Sequence, residues 1–368
     1  MTSKTDTKTL YEELREHYLG DGMNTLPQRK EVMQILELRF TPEEAELALS
    51  IPMQGLSVIS LPDLATTVGK PEAEVWSMVE SLLTKGILYS VAHENTGEEV
   101  YSLWEWAYSL ITPMWGDGLV DDTKRKVAEL REQLWDAGLP FLLNPSSHAL
   151  SLVMPYEPRI DPDAEVPDYE RYSHFIGIAD RICVIACGCR MAVEGCRNPV
   201  WTCMHFNEQV DYWTKYRRGR EISKEEALQL IEDSVRGGLV VTGQNSQEFP
   251  FVFCLCCKDC CVILRPFYEN HIRGSLVAPN YLPEWDLEKC KACSTCRKAC
   301  QPGAIGRHLS HVEGERDHMI VMEDRCIGCG VCSAVCPREA ITLKRVRNTI
   351  PEPIAWDAYM KFQAGMLW

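Results

Sequence analysis

The chain has 368 residues, 45% hydrophobic and 25% charged, values of an ordinary globular sequence that exclude disorder, collagen and coiled coil. At roughly 150 residues per domain, this length calls for two or three units. Lys and Arg number 38 against 53 Asp and Glu, and the net charge of −15 works against nonspecific binding to nucleic acid or an anionic membrane surface. No run approaches the ~20 apolar residues of a membrane helix, and the first residues lack the apolar stretch of a secretory signal. The sequence therefore predicts a cytoplasmic protein without a membrane span.

In chain order, Thr41-Pro42-Glu43-Glu44 is an N-cap, a Pro at the first helical position and an acidic first turn, opening a helix to about Ser50. Leu61 to Val68 reads as a short helix and Gly69-Lys70 as a turn. Pro71 to Lys85 reads as a longer helix burying Val75, Met78, Val79, Leu82 and Leu83, ended by Gly86. Ile87–Ala92 and Glu99–Leu103 alternate as strands around the hairpin turn Asn95-Thr96-Gly97. Helix, turn, helix and two-stranded wing resemble the winged helix-turn-helix domains of bacterial regulators. Such domains often bind DNA, which requires phosphate neutralisation. From Ser60 to Leu103, however, Lys70 and Lys85 stand against Asp63, Glu72, Glu74, Glu80, Glu94, Glu98 and Glu99. The unit, residues 1–115, is read as a protein-docking module, and DNA is not its expected partner.

Residues 116–167 form a connection. Lys124 to Ala137 predicts an amphipathic helix on Val127, Leu130, Leu134 and Trp135, and 155–167, with four prolines, an extended linker. Upstream, Trp104, Trp106, Tyr108 and Trp115 read as a core seam, with a partner surface as the alternative.

All 18 cysteines lie between Cys183 and Cys336. In a cytoplasmic chain such density points to metal ligation rather than disulfides. The first ten form two groups of five: Cys183, Cys187, Cys189, Cys196 and Cys203, then Cys254, Cys256, Cys257, Cys260 and Cys261. Ahead of each group runs a helix and a strand, 168–180 with 181–186 and 224–236 with 239–242, a pseudo-repeat that predicts one shared site. A third 4Fe-4S cluster is the preferred occupant, drawn from Cys187, Cys189, Cys196, Cys203, Cys256, Cys257 and Cys260. Structural zinc is the alternative, and buried free thiols account for some of the surplus. Adjacent Cys-Cys pairs are not expected to ligate together, because neighbouring side chains diverge. His205 is left outside the ligand set. The basic run Lys215 to Arg220 is either a solvated loop or a docking surface for an acidic partner.

The strongest signal follows. Cys290, Cys293, Cys296 and Cys300, then Cys326, Cys329, Cys332 and Cys336, each show C-x2-C-x2-C-x3-C. In this spacing the first three thiolates wrap one cubane and the fourth reaches the other. Cluster one takes Cys290, Cys293, Cys296 and Cys336, and cluster two takes Cys326, Cys329, Cys332 and Cys300. Zinc sites favour C-x2-C pairs separated by a longer loop. Residues 283–345 resemble the bacterial ferredoxins with two 4Fe-4S clusters, a resemblance that implies low-potential, one-electron transfer. The family usually places Pro after the fourth Cys, and here Gln301 intervenes before Pro302. The residues between the repeats, including Asp317 to Glu323, are expected to form a hairpin and return strand. The C-x-C-R and C-x-C-C-x-x-C-C elements extend the likeness, over about 168–346, to multi-cysteine ferredoxin-type proteins of anaerobes.

The expected architecture is multidomain α+β: a winged-helix-like domain (1–115), helix and linker (116–167), a cysteine-rich α/β domain (168–282), a ferredoxin-like domain (283–346) and an apolar tail (347–368) packed on the chain or a partner. No G-x-G-x-x-G after a strand, phosphate loop, C-x-x-C-H site or nucleophile elbow occurs. The sequence thus reads as an electron-transfer component of an anaerobic oxidoreductase, partnered by a redox protein or larger complex, rather than a stand-alone enzyme. The rival readings are a redox-sensing transcription regulator and an oxidoreductase whose substrate meets an unusual cluster within 183–261.

Overall fold

A computed structural model describes residues 4–19, 29–53, 57–105, 109, 112–143, 148–193, 195–311, 316–354 and 361. Among the described residues no helix is long and apolar enough to cross a membrane.

The N-terminal unit packs helices Lys4–Leu19, Lys30–Arg39 and Pro42–Ala48 beside a short β-sheet. The capping box forms as its residues dictate: Glu44 N donates to Thr41 Oγ1 (3.2 Å), and Thr41 N donates to Glu44 Oε2 (2.8 Å). Strand β1 (Ile59–Ser60) precedes helices Leu61–Val68 and Glu72–Thr84, then β2 (Leu88–Ala92) and β3 (Glu99–Leu103) form the hairpin. The sheet order is β1-β3-β2, and β1 is an element the sequence did not disclose. Gly86 has φ +68°, and a Cβ there would lie 2.4 Å from Pro113 O, so only glycine ends this helix.

The middle unit is a six-stranded antiparallel sheet. Its strands are β4 (Ser151–Val153), β5 (Ile182–Ala186), β6 (Trp201–Phe206), β7 (Arg220–Ile222), β8 (Val240–Gln244) and β9 (Val252–Cys256), in the order β4-β8-β9-β6-β5-β7. Helix Lys224–Arg236 carries a second capping box, Ser223 with Glu226, and buries Ala227, Ile231 and Val235. The stretch expected as one helix from 168 is a 3-10 turn, Asp168–Glu170, followed by helix Tyr172–Ile178.

The C-terminal segment pairs β10 (Tyr281–Trp285) with β13 (Ile341–Arg345), and β11 (Ile305–His308) with β12 (His318–Val321). The hairpin between the repeats is the expected one. Helices Thr295–Ala299 and Val331–Ala334 pack together, each carrying the third cysteine of its repeat.

The units are not beads on a string. Trp104 Nε1 donates to Tyr212 Oη (3.1 Å), and one hydrophobic cluster runs from Tyr11 through Leu83 and Trp115 to Ile185 and Trp213. A second joins Phe175, Val241 and Leu255 to Ile327 and Val331. The basic run is divided: Arg217 is buried and braces the interior, whereas Lys215, Arg218 and Arg220 are exposed. Lys215 pairs with Glu99 (3.0 Å) and Arg220 with Glu226 (3.1 Å). Arg217, 1% exposed, donates to Thr84 O, Met114 O (2.9 Å) and Asp117 Oδ2 (3.3 Å). The extended linker is likewise packed: Tyr156 N donates to Cys329 O (3.1 Å), and Asp161 pairs with Lys344 (2.6 Å). Trp104 and Trp115 are buried core, whereas Trp106 and Tyr108 lie outside the described residues. In the tail, Gln247 N donates to Glu352 O (2.8 Å) and Ile354 is exposed; Trp356, Tyr359, Met360, Phe362, Met366, Leu367 and Trp368 lie outside the described residues.

Candidate metal centres

The two C-terminal repeats place their thiols in two groups. Cys300, Cys326, Cys329 and Cys332 line one pocket with Ile305, Ile327 and Val331. Cys336, Cys293 and Cys290 are the thiols whose charge acts on Cys296, which burial chiefly pushes up to about 11. Burial also lifts Cys326 to about 11. Thiolates in such apolar surroundings need a bound cation to release their protons, so the donor set suits iron–sulfur ligation. Backbone N–H groups support the sulfurs identically in both repeats: Ala304 N lies 3.3 Å from Cys300 Sγ, and Ala340 N 3.4 Å from Cys336 Sγ. Such donors tune a cluster's potential. Cys293 is exposed, with the exposed cations Lys291, Arg297 and Lys298 near it in sequence, so this group reaches the surface.

The cysteine-rich field is built by the central sheet. β5 and β9 flank β6 and are both antiparallel to it, so their C-terminal ends emerge at one edge, where β6 begins. That edge collects Cys187 and Cys189 after β5, Cys203 on β6, and Cys254, Cys256 and Cys257 from β9 and its exit. The expected convergence occurs, but through β9 rather than the strand directly after the second helix.

The thiols separate into two sets. Cys203 Sγ lies 3.8 Å from Cys254 Sγ and Cys256 Sγ 3.2 Å from Cys261 Sγ. Electrostatic interaction of Cys187 with Cys189 and Cys203, of Cys254 with Cys256 and of Cys261 with Cys189 joins these pairs into a group of six, a six-thiol ring, and Cys189 also acts on Cys260 of the other set. The other set is Cys196, Cys257 and Cys260, with Sγ–Sγ distances of 3.7 Å for Cys196–Cys257 and 3.3 Å for Cys257–Cys260. The adjacent pairs Cys256-Cys257 and Cys260-Cys261 do diverge, one member to each set. The expected pool of seven thus spans two sets and lacks Cys254 and Cys261. Cys183 stays apart in β5, a fully buried thiol lifted to about 12 by burial. His205 stacks on Trp213 (4.3 Å) with Nδ1 3.0 Å from Gln209 Oε1, opposite Cys183 in the β5–β6 pair.

Two buried arginines attend the sets, and sequence reading missed both. Arg190 is 4% exposed and directs Nη2 toward Cys257 Sγ (3.8 Å). Arg131, from helix Asp122–Asp136, is 2% exposed, acts on Cys189 and pairs with Glu132 (3.2 Å); among the described residues its Nε and Nη1 have no hydrogen-bond partner. The C-x-C-R element was the available signal for Arg190. Nothing local marks Arg131, whose place depends on tertiary packing.

Two residues link the field to the C-terminal repeats. Half-buried Tyr268 feels the charges of Cys329, Cys300, Cys261 and Cys326, after the effect of burial itself. Gln301, the residue inserted before Pro302, donates to Gly238 O (2.7 Å) and accepts from Lys258 N (3.2 Å), one residue past Cys257.

A 4Fe-4S dicluster domain is matched over residues 289–340. The chain is 31% identical over 87 residues to ferredoxin-3 of Rhodobacter capsulatus, a match covering 19% of this chain and 86% of that protein. It is 30% identical over 113 residues to the electron transport protein HydN of Escherichia coli, covering 26% and 59% of the two chains. With the archaeal-type glutamate synthase (NADPH) of Thermotoga maritima it shares 32% identity over 69 residues, 19% of this chain and 13% of that one. The chain thus spans only part of the latter two relatives. Its C-terminal segment is a ferredoxin-type iron–sulfur domain, and through that segment the chain belongs to the 4Fe-4S ferredoxin family.

Proposed function

We propose that this protein is an electron-transfer subunit or adaptor of an anaerobic oxidoreductase, with two 4Fe-4S clusters on the quartets Cys290, Cys293, Cys296, Cys336 and Cys326, Cys329, Cys332, Cys300. The observation that carries the reading is the pair of interleaved thiol groups, one lining an apolar pocket and the other reaching the surface at Cys293. When bound, each cluster supplies a one-electron couple at low potential. The chain's own residues hold the sulfurs, exclude water with Ile305, Ile327 and Val331, and lower the charge on sulfur through backbone N–H groups.

The six-thiol ring is an additional iron–sulfur centre in this account, with Arg131 offsetting its negative charge. Tyr268 bridges the ring and the inner quartet. Clusters held by the ring and the two quartets would supply successive one-electron couples, with the exposed Cys293 group nearest a redox partner. The N-terminal unit, winged-helix-like in element order, docks protein rather than DNA. Both lysines of its 60–103 segment are already engaged, Lys70 by Glu74 and Lys85 by Glu44.

The test is Cys329→Ser in the full chain. A redox titration followed by electron paramagnetic resonance should lose the inner centre, while the outer centre and partner binding persist. A spectrum identical to the parent's would remove Cys329 from the ligands, and with it this reading.

A further inference from the structure

Cys196, Cys257 and Cys260 differ from every other thiol group in the chain. Their three sulfurs lie within 4.8 Å of one another, and among the described residues no other trio of Cys, His or carboxylate side chains converges so closely. Tetrahedral zinc–thiolate bonds of about 2.3 Å put two ligand sulfurs about 3.8 Å apart, close to the 3.7 Å and 3.3 Å observed. Thiolates of a cubane each sit on a different iron atom and stand further apart.

A second observation concerns charge. The guanidinium of Arg190 is always protonated and is 4% exposed. Its contacts are Pro199 O, Thr202 Oγ1 (2.8 Å), Leu255 O (2.9 Å) and Cys257 Sγ (3.8 Å), and among the described residues no carboxylate pairs with it. Neutral thiols would leave this buried cation uncompensated, a costly arrangement. Three thiolates and one divalent cation carry a net −1, and the Arg190 cation beside Cys257 offsets that charge while also facing Cys187. Asn198 Nδ2, 3.6 Å from Cys196 Sγ, is a further donor toward sulfur.

We propose that Cys196, Cys257 and Cys260 form a mononuclear site for zinc, separate from the six-thiol ring and from the ferredoxin quartets, with Arg190 as its charge partner. Binding exchanges three thiol protons for the metal, with no change of oxidation state. No fourth protein donor converges among the described residues, and Cys196 is only half-buried. The three thiols leave one tetrahedral position for a further donor. This inference stands independently of the electron-transfer reading.

The experiment is zinc, iron and acid-labile sulfide per chain on the anaerobically purified full-length protein and on Cys196→Ser. The parent should carry about one zinc, and Cys196→Ser should lose it several-fold with iron and sulfide unchanged. Parallel loss of iron and sulfide in the variant would overturn the proposal, because the trio would then belong to a cluster. Should the variant not fold, cobalt(II) exchanged into the parent decides: sulfur-to-cobalt charge-transfer absorption supports the site, and no uptake overturns it. Zinc retained in a protein lacking iron would support this site while removing the electron-transfer reading.

Discussion

Ala292 and Ser294 hold φ values of +48° and +65° at the places where the second repeat has Gly328 and Gly330, at +69° and +74°. Both turns need this left-handed backbone to aim consecutive sulfurs inward, yet only the second uses the residue that adopts it freely. Ala292→Gly should therefore stabilise the protein by up to about 1 kcal/mol, seen as a higher denaturation midpoint with unchanged iron content. Gly328→Ala should do the reverse, since its Cβ would stand 2.7 Å from Pro279 Cβ and 2.8 Å from Tyr281 O. A cost of order 1–3 kcal/mol is expected, with partial loss of iron; a neutral effect would mean the turn relaxes. At this scale the two four-cysteine repeats of the dicluster domain were legible because their spacing is local. Cys254, Cys261, Arg131 and Arg190 were not, because which sulfur meets which depends on strand register and on a helix more than fifty residues upstream.

The N-cap at Thr41, the amphipathic stripe of Lys224–Arg236 and the hairpin turn at residues 95–97 were readable at the level of elements, being set by neighbours in the chain. The edge strands β1, β4 and β7 were not: with two or three residues each they carry no periodicity. The pseudo-repeat was half right for a related reason. The second cysteine group leaves from β9, the return strand after β8, and only sheet order reveals that β9 and β5 flank β6. Gln301 shows what a departure from a family pattern can do. Its side chain ties the end of the first repeat to Gly238 and to the loop of Cys257. Gln301→Ala should cost about 1–2 kcal/mol for two lost hydrogen bonds with both ferredoxin clusters retained. A midpoint equal to the parent's would show that the tie contributes nothing.

Across the whole molecule, the continuous cores imply that the N-terminal unit and the cysteine-rich sheet unfold together. Arg217 is the test, since its guanidinium braces Thr84, Met114 and Asp117 across that junction. Arg217→Met should lower stability by about 3 kcal/mol, the scale for breaking a buried charged contact, in one shared transition by circular dichroism. Two separate transitions, with the cysteine domain unaffected, would mean the units are independent. In the proposed relay the order would be ring, inner quartet, outer quartet, with the exposed Cys293 toward the partner. The most direct measurement of the central claim is iron and acid-labile sulfide per chain on anaerobically purified protein. The account predicts more than about eight of each, two cubanes and a further centre on the thiol ring. About eight would confine electron transfer to the ferredoxin segment, and a chain with little iron or sulfide would contradict the account.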